Sequence, residues 1–108
     1  MRRGELWTVA GGVYAAKPQP AVIVQDDVFE LTTSVTVVPL TTTLTDAPFL
    51  RLRIPSDAIA GLAQDSDVMV DKMTTVRRSN VQVRIGRLSS QQMVELERLV
   101  MTFLGMAR

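Results

Sequence analysis

Short apolar segments separated by polar turns run along most of the chain. Residues 5–9 (ELWTV), 50–54 (LRLRI) and 81–85 (VQVRI) alternate apolar and polar positions with the period of two of a half-buried β-strand. Two further runs are rich in β-branched residues, which strands favour. The pattern predicts strands at six places: residues 5–9, 21–24, 34–38, 50–54, 68–70 and 81–85.

The period changes near the C-terminus. Ser89 and Gln92 have the spacing of a capping box, in which each side chain satisfies a backbone N–H of the first helical turn. Apolar residues then recur at helical spacing from Met93 to Leu104, and Gly105 is placed to end the helix. We therefore predict a small antiparallel β domain of five or six strands, with one C-terminal amphipathic helix.

Three segments between these elements have weaker signals. Pro39 is expected to end its strand's hydrogen-bond ladder, or to mark an edge or a bulge, because proline has no N–H to donate. Residues 58–63 are expected to form a short helical piece, and residues 74–80 a polar connector.

Composition limits the chemistry available to the chain. Its 108 residues are one domain's worth, and 46% of them are hydrophobic, which is enough for one core. There is no His and no Cys, so the usual ligands of structural zinc, haem and iron–sulfur centres are missing, as are Ser–His and Cys–His catalytic pairs. No apolar run reaches the roughly 18–20 residues of a membrane span. A soluble cytoplasmic domain without membrane contact is expected.

Charge is nearly balanced, but its basic part is almost all arginine. Twelve Lys and Arg face eleven Asp and Glu, and only Lys17 and Lys72 are lysines. Arginine's planar guanidinium suits bidentate phosphate contacts, so a local basic patch for RNA or an acidic protein is one hypothesis, and solvated strand faces are an equally good one. The arginines concerned are Arg51, Arg53, Arg77, Arg78, Arg84 and Arg87.

Three further places could carry chemistry. The loop from Tyr14 to Pro20 offers Lys17 and Gln19 on a proline-stiffened backbone, with Tyr14 as a stacking surface. The threonines after Pro39 could donate hydroxyl hydrogens to a phosphate, and residues 65–67 (DSD) could hold a divalent cation. Each has a simpler interpretation that we favour on residue types alone: a proline-rich loop outside the sheet, turn hydrogen bonds, and a turn that enters a strand.

Several short motifs follow one another over nearly the whole chain. They are residues 3–7 (RGELW), 17–24 (KPQPAVIV), 35–41 (VTVVPLT), 67–68 (DV) with 74–76 (TTV), and 85–88 (IGRL) before a terminal helix. Each motif is weak alone, but together and in this order they resemble the MazF/PemK family of toxin endoribonucleases.

This resemblance implies a fold, an activity and partners for a single domain over residues 1–108. The fold would be an SH3-like barrel of antiparallel strands with a C-terminal α-helix, forming a homodimer. The activity would be metal-independent and cofactor-free cleavage of single-stranded mRNA at short motifs, by attack of a 2′-hydroxyl on the adjacent phosphate to leave a cyclic phosphate and a 5′-hydroxyl. A cognate antitoxin with a flexible acidic tail would inhibit it.

The resemblance also assigns site residues, with one departure from the family pattern. Thr41 falls on the family's catalytic threonine, whereas Gln19 falls where the family usually has a catalytic arginine, and nearby Lys17 could supply the missing charge. No carboxylate lies between Glu5 and Asp26, where some members carry a glutamate. The expected RNA-binding residues are Tyr14, Thr42, Arg51, Arg53, Arg77, Arg78 and Arg84.

Two alternatives follow from these departures. Gln19 is compatible with a catalytically weakened or silent homologue, because a neutral amide replaces a permanent charge. A CcdB-like toxin that binds a protein target such as gyrase would share the barrel, but residues 105–108 (GMAR) do not resemble its aromatic terminus.

Overall fold

Seven antiparallel strands and one C-terminal helix make up the computed structural model, which describes residues 1–10 and 17–107. The strands are β1 (Glu5–Val9), β2 (Gln19–Ile23), β3 (Ser34–Thr41), β4 (Arg51–Ile54), β5 (Ser66–Met69), β6 (Thr74–Arg77) and β7 (Val81–Arg87). The helix α1 spans Ser90–Phe103, and three single-turn 3₁₀ helices lie at Asp27–Phe29, Val70–Lys72 and Arg78–Asn80. The mainly β fold predicted from the sequence is confirmed.

The strands are ordered β4-β5-β3-β2-β1-β7, and β6 lies beside β3 off this path. The long strand β3 has two successive partners on one edge, β6 along residues 34–37 and then β5 at residues 40–41. Its other edge pairs with β2. This arrangement brings the C-terminal end of β3 next to β5 and β4.

Pro39 does not end β3, although the sequence suggested that it could end the hydrogen-bond ladder of its strand. The strand continues to Thr41, and Pro39 pairs with Ala21 of β2. On the opposite edge Pro39 falls in the gap between the residues that pair with β6 and those that pair with β5. Its missing N–H therefore leaves no rung of the ladder broken on that edge.

The sheet has an apolar cluster on each face. The larger cluster packs under α1 and includes buried residues of five strands: Leu6, Val22, Val38, Leu40, Leu52, Ile54 and Val68, with Met93 and Leu96 of the helix. The smaller cluster, on the other face, consists of Val9, Ala21, Ile23, Val35 and Val37. Strands buried on both faces explain why residues 21–23 and 35–38 show runs of apolar residues rather than clean alternation.

The segment predicted as a short helix at residues 58–63 is instead a turn that joins the two edges of the sheet. The N–H of Arg87 donates to the carbonyl of Ile59 at 3.0 Å, which links β7 to the chain after β4. Gly61 has a φ of +72°, and a Cβ there or on Gly86 would overlap the facing backbone. The sheet is not closed by strand pairing among the described residues, so it is only roughly barrel-like.

The C-terminal prediction is confirmed and the connector prediction is wrong. Ser89 caps α1, Gln92 completes the capping box, and Gly105 follows the helix with a φ of +73°. Residues 74–77, predicted as connector, are β6, because the polar Thr74 and Thr75 pair with Val37 and Thr36 of β3.

Candidate active site

One row of cross-strand neighbours connects the polar residues of interest. Arg53 of β4 pairs with Asp67 of β5, which pairs with Thr41 of β3. Continuing the register of β2 and β3 by two residues places Gln19 opposite Thr41, and Gln19 itself pairs with Val9 of β1. Directly opposed residues of antiparallel strands project to the same face. Arg53, Asp67, Thr41 and Gln19 therefore share one face, at the end of the strands.

Thr41 stands at the point where β3 passes into an exposed loop of threonines. Its Oγ1 accepts the N–H of Thr43 at 3.1 Å, as in a common serine/threonine turn. Since this bond uses the oxygen as acceptor, the hydroxyl hydrogen stays available for donation. Turn formation and a possible phosphate contact are thus compatible for this half-buried side chain.

Asp67 is fully buried and holds the same loop through a hydrogen bond. Its Oδ1 accepts the Nε–H of Arg53 at 2.6 Å, and its Oδ2 accepts the N–H of Thr45 at 2.9 Å. Burial by itself raises the pKa of the Asp67 carboxyl, but these hydrogen bonds and the charges of Arg53 and Arg51 outweigh it. The pKa of Asp67 therefore lies below its ordinary value, and the group is a charged anchor at neutral pH.

The two arginines that contact Asp67 differ in how exposed their side chains are. Arg51 Nη1 lies 3.7 Å from Asp67 Oδ2 and donates to the carbonyl of Thr43 at 3.4 Å, and its side chain is only 20% exposed. The Arg53 side chain is 50% exposed. Its hydrogen bond to Asp67 raises the pKa of the guanidinium, so its charge is permanent. Both guanidinium groups face the one carboxylate of Asp67, and the charges of Asp65 and Asp46 also act on Arg53.

Gln19 and Lys17 lie on the other side of Thr41, at the start of β2, and both are exposed. They offer a neutral amide and a flexible ammonium rather than a fixed guanidinium. Tyr14, predicted as a stacking surface, lies outside the described residues.

A second charged cluster lies on β1 and β7. The carboxylate of Glu5 accepts Nε–H of Arg84 at 2.7 Å, the indole N–H of Trp7 at 3.1 Å and the N–H of Arg2 at 2.7 Å. Burial raises the pKa of Glu5, but these hydrogen bonds have the larger, opposite effect. The pKa of Glu5 is therefore below its usual value. Arg84 pairs with Trp7, which pairs with Ala21, so the cluster is close to the row through Thr41 but not part of it.

The structure does not bring Arg77 and Arg78 to Thr41. Arg77 pairs with Ser34 at the opposite end of β3, roughly 23 Å from Thr41 at about 3.3 Å per residue. Arg78 donates its Nε–H to the carbonyl of Thr32 at 2.8 Å, a bond that stabilises the β2–β3 loop. Thr42 is exposed in the loop directly after Thr41.

Asp67 is the functional candidate that sequence reasoning interpreted least well. Sequence reasoning assigned it no site role: it appeared in a cation-binding DSD motif, for which the simpler interpretation was a turn, and in the DV motif of the family resemblance. In the structure Asp65 accepts the N–H of Ser56 at 2.8 Å while Asp67 binds arginine, so the two carboxylates have separate partners. The pairing of Arg53 with Asp67 needs the register of β4 and β5, which no short-range sequence signal reveals.

Residues 1–10 and 17–107 contain neither a metal-binding cluster nor a membrane-spanning helix. This part of the chain holds no group of three or more His, Cys, Asp or Glu side chains arranged to bind a metal ion. It also has no helix that is long and apolar enough to cross a membrane.

Comparisons with known proteins give one consistent result. A family model described as PemK-like, MazF-like toxin of type II toxin–antitoxin system matches residues 2–104. The chain is 51% identical over 108 residues, 99% of each chain, to the probable endoribonuclease MazF of Mycolicibacterium smegmatis.

Solved structures share the fold. The Mycobacterium tuberculosis toxin MazF-mt6 superposes with a TM-score of 0.80 at 26% identity, over 96% of this chain and 99% of that one. A MazE–MazF structure from Deinococcus radiodurans gives a TM-score of 0.80 at 17% identity, over 99% of this chain and 98% of that one, which shows similarity of fold alone.

Proposed function

Because the chain belongs to the family of PemK-like and MazF-like toxins of type II toxin–antitoxin systems and is a MazF-like endoribonuclease toxin, we propose that it cleaves single-stranded mRNA at a short sequence motif without a metal ion. The attacking group is the 2′-hydroxyl of the RNA itself. The observation that carries this proposal is the placement of Thr41 between Gln19 and the pair Arg53–Asp67 on one face of the sheet.

The reaction needs no atom from the protein to form a bond. The 2′-oxygen bonds to phosphorus as its proton passes to water, and the P–O5′ bond breaks as the 5′-oxygen takes a proton from water. The products are a 2′,3′-cyclic phosphate and a 5′-hydroxyl. Negative charge grows on the non-bridging oxygens, so the protein accelerates the step by placing hydrogen-bond donors there. Such a mechanism agrees with a sequence that contains no His and no Cys.

The described carboxylates of the site are poor proton acceptors. Asp67 and Glu5 are both held by arginine, and each has a pKa below its ordinary value. In this account catalysis therefore rests on donors: the Thr41 hydroxyl toward the scissile phosphate, with Gln19 and Lys17 at the β2 side of the same place.

Binding of the RNA around the cut is assigned to the remaining predicted residues. Arg51, Arg53 and Thr42 lie around the Thr41 loop, and Arg84 lies beyond β2 on the same side of the molecule. Tyr14 would stack on a base. Arg77 and Arg78 are far from Thr41 in one chain, so they would contact RNA only along an extended or two-chain groove.

Two partners complete the proposal. A cognate antitoxin with an acidic flexible tail would compete with RNA for the arginine-bearing face, as expected of the toxin of a type II system. A second copy of the chain would form a homodimer, and the exposed apolar residues of α1 and the segment after it support this because they lack cover in one chain. These are Val94, Met101, Phe103, Leu104 and Met106.

Cleavage of an RNA transcript of mixed sequence in EDTA tests the proposed activity. We expect cuts at a recurring short motif, with a cyclic phosphate on one product and a 5′-hydroxyl on the other. Strict dependence on Mg²⁺, or equal cleavage of DNA, would contradict the proposal. Tight RNA binding without cyclic-phosphate product over long incubation would instead favour a silent homologue, the alternative that Gln19 supports.

A further inference from the structure

The family's usual arginine is replaced here by Gln19, so the site needs another permanent charge near the scissile phosphate if it is active. Three cations are within the neighbourhood of Thr41: Lys17, Arg51 and Arg53. They differ in distance along the sheet, in rigidity and in how many of their donors are free.

Distance along the sheet distinguishes Arg53 from Arg84. Neighbouring strands are about 4.8 Å apart, so Arg53, two strands from Thr41 on the same row, has its backbone about 10 Å away. Arg84 is three strands away, about 14 Å, and on a different row. A phosphate held by Thr41 is therefore within easier reach of the Arg53 side chain than of the Arg84 side chain.

Free donors distinguish Arg53 from Arg51. A guanidinium carries five N–H donors, and Arg53 uses its Nε–H on Asp67 at 2.6 Å. Among the described residues, no hydrogen bond engages the two terminal nitrogens of Arg53. Arg51 instead donates from Nη1 to the Thr43 carbonyl, and its side chain is mostly buried. Its contacts therefore stabilise the threonine loop.

Rigidity distinguishes Arg53 from Lys17. Asp67 is fully buried, is charged at neutral pH and fixes the Arg53 guanidinium through Nε. The same carboxylate holds the Thr45 N–H at 2.9 Å, so one group positions both the arginine and the loop that starts at Thr41. Lys17 is exposed on the loop before β2 and would have to be ordered by the substrate.

We propose that Arg53, anchored by the buried carboxylate of Asp67, is the catalytic guanidinium that donates to the scissile phosphate in place of the arginine missing at Gln19. Arg53 then donates two N–H groups to non-bridging oxygens as charge develops, and Asp67 is a positioning residue that does not contact RNA. This inference rests on the proposed RNA cleavage.

The decisive test is a rescue across the sheet. We expect Arg53→Ala to lower the single-turnover cleavage rate of an RNA oligonucleotide in EDTA by about 100-fold or more. The double variant Gln19→Arg with Arg53→Ala should recover at least about tenfold of that loss, since both positions flank Thr41 on one row. Arg98→Ala, an exposed helix arginine outside the site, serves as the control and should leave the rate unchanged.

A separate readout isolates the role of Asp67. Asp67→Asn keeps an acceptor oxygen but removes the charge, so we expect the single-turnover rate to fall about tenfold or more. The dissociation constant for the same oligonucleotide with a 2′-deoxy nucleotide at the cut should be unchanged or smaller, because the site gains net positive charge. A merely structural role would weaken binding and cleavage together, and thermal melting of each variant reports folding.

The outcomes separate this inference from the function on which it rests. If wild-type protein gives no cyclic-phosphate product from any RNA, the proposed function and the inference both fail. If wild-type protein cleaves and Lys17→Ala loses the rate while Arg53→Ala keeps it, only the inference fails. An Arg53→Ala defect confined to RNA binding, with no recovery by Gln19→Arg, also overturns it.

Discussion

In the proposed mechanism Thr41 combines two roles that are usually assigned to different residues. Its oxygen accepts the Thr43 N–H and shapes the turn at the end of β3, and its hydrogen remains free to point toward a phosphate. The loop is held from two further sides, by Arg51 on the Thr43 carbonyl and by Asp67 on the Thr45 N–H. A hydroxyl placed this rigidly can donate without first losing side-chain freedom, which is the condition for effective electrostatic stabilisation.

Replacing Thr41 with valine tests this role, although it also removes the turn hydrogen bond that Thr41 accepts from Thr43. Thr41→Val removes the hydroxyl while keeping the β-branched side chain, so we expect the single-turnover RNA cleavage rate to fall by about 100-fold or more. Thr43→Val is the matched control, because the backbone N–H and carbonyl that Thr43 contributes to the loop remain. Equal rates for the two variants would contradict the role of Thr41.

The Asp67 carboxylate also predicts a pH dependence of stability. Its pKa is lowered in the folded protein, because the hydrogen bonds from Arg53 and Thr45 outweigh the effect of burial. The stabilisation is therefore fully present above the ordinary aspartate pKa of about 3.9, and it is lost as the pH falls through the lower, folded-state pKa.

Urea unfolding at several pH values measures this linkage. Asp67→Asn should be less stable than wild type by roughly 1–3 kcal/mol at pH 7, and the difference should shrink toward pH 3. Asp65→Asn, an exposed neighbour, is the control. A difference between wild type and Asp67→Asn that stays constant over this range would show that the carboxylate charge is not what stabilises the fold.

The contact between the turn after β4 and strand β7 replaces strand pairing as the closure of the sheet. Gly86 and Gly61 allow it, since their backbones approach Ala60 and Ile85 too closely for any side chain. The hydrogen bond from Arg87 to Ile59 lies in the same contact. This closure keeps β4, and with it Arg53, fixed relative to the rest of the sheet.

We expect Gly86→Ala to disrupt this closure. A Cβ at that position would overlap the Ala60 carbonyl, so the free energy of unfolding should fall by at least about 2 kcal/mol, measured by urea denaturation. Gln82→Ala, an exposed position on the same strand, should change it by less than about 0.5 kcal/mol. Wild-type stability of Gly86→Ala would mean that the contact is loose.

Elements with strong local signals were predictable from the sequence. Strand β1 was predicted with its observed bounds, and the Ser89 cap and Gly105 stop of α1 are both present. Strand β6 was missed because Thr74 and Thr75 are polar and form a strand only by pairing with β3. The turn at residues 58–61 was taken for helix because the close approach to β7 is a long-range constraint.

The site was predictable only in part, for the same physical reason. The family resemblance names Thr41 and Gln19 as candidates, and the register of β2 and β3 puts them at one end of the sheet. The anchoring of Arg53 by Asp67 depends on β4 and β5 pairing across a separation of 14 residues. An isolated arginine in a strand and an aspartate in a DSD motif do not reveal such a pair.

The whole molecule leaves an apolar surface that one chain does not cover. A groove of about 430 Å³ lies between α1 and the β2–β3 loop, lined in part by Phe29, Val100 and Met101. Exposed Leu31 and Met106, at 93% and 73%, add to the uncovered apolar area. Covering such a surface with a symmetric partner agrees with the homodimer that we propose.

Light scattering tests the assembly directly. We expect the mass of two chains at micromolar concentration, and Met101→Glu should shift the protein toward one chain because it places a charge on the exposed apolar side of α1. Glu95→Gln, an exposed polar position on the same helix, should leave the mass of two chains. A single-chain mass for the wild type would contradict the homodimer.

In the proposed reaction the RNA's own 2′-hydroxyl is the nucleophile, and the protein supplies only donors around it. The most direct measurement compares, in EDTA, an RNA oligonucleotide that spans a mapped cut with the same oligonucleotide carrying one 2′-deoxy nucleotide 5′ to the scissile phosphate. We expect a cyclic-phosphate product from the first oligonucleotide and no product from the second, although both bind. Cleavage of the 2′-deoxy oligonucleotide at the same position would contradict it.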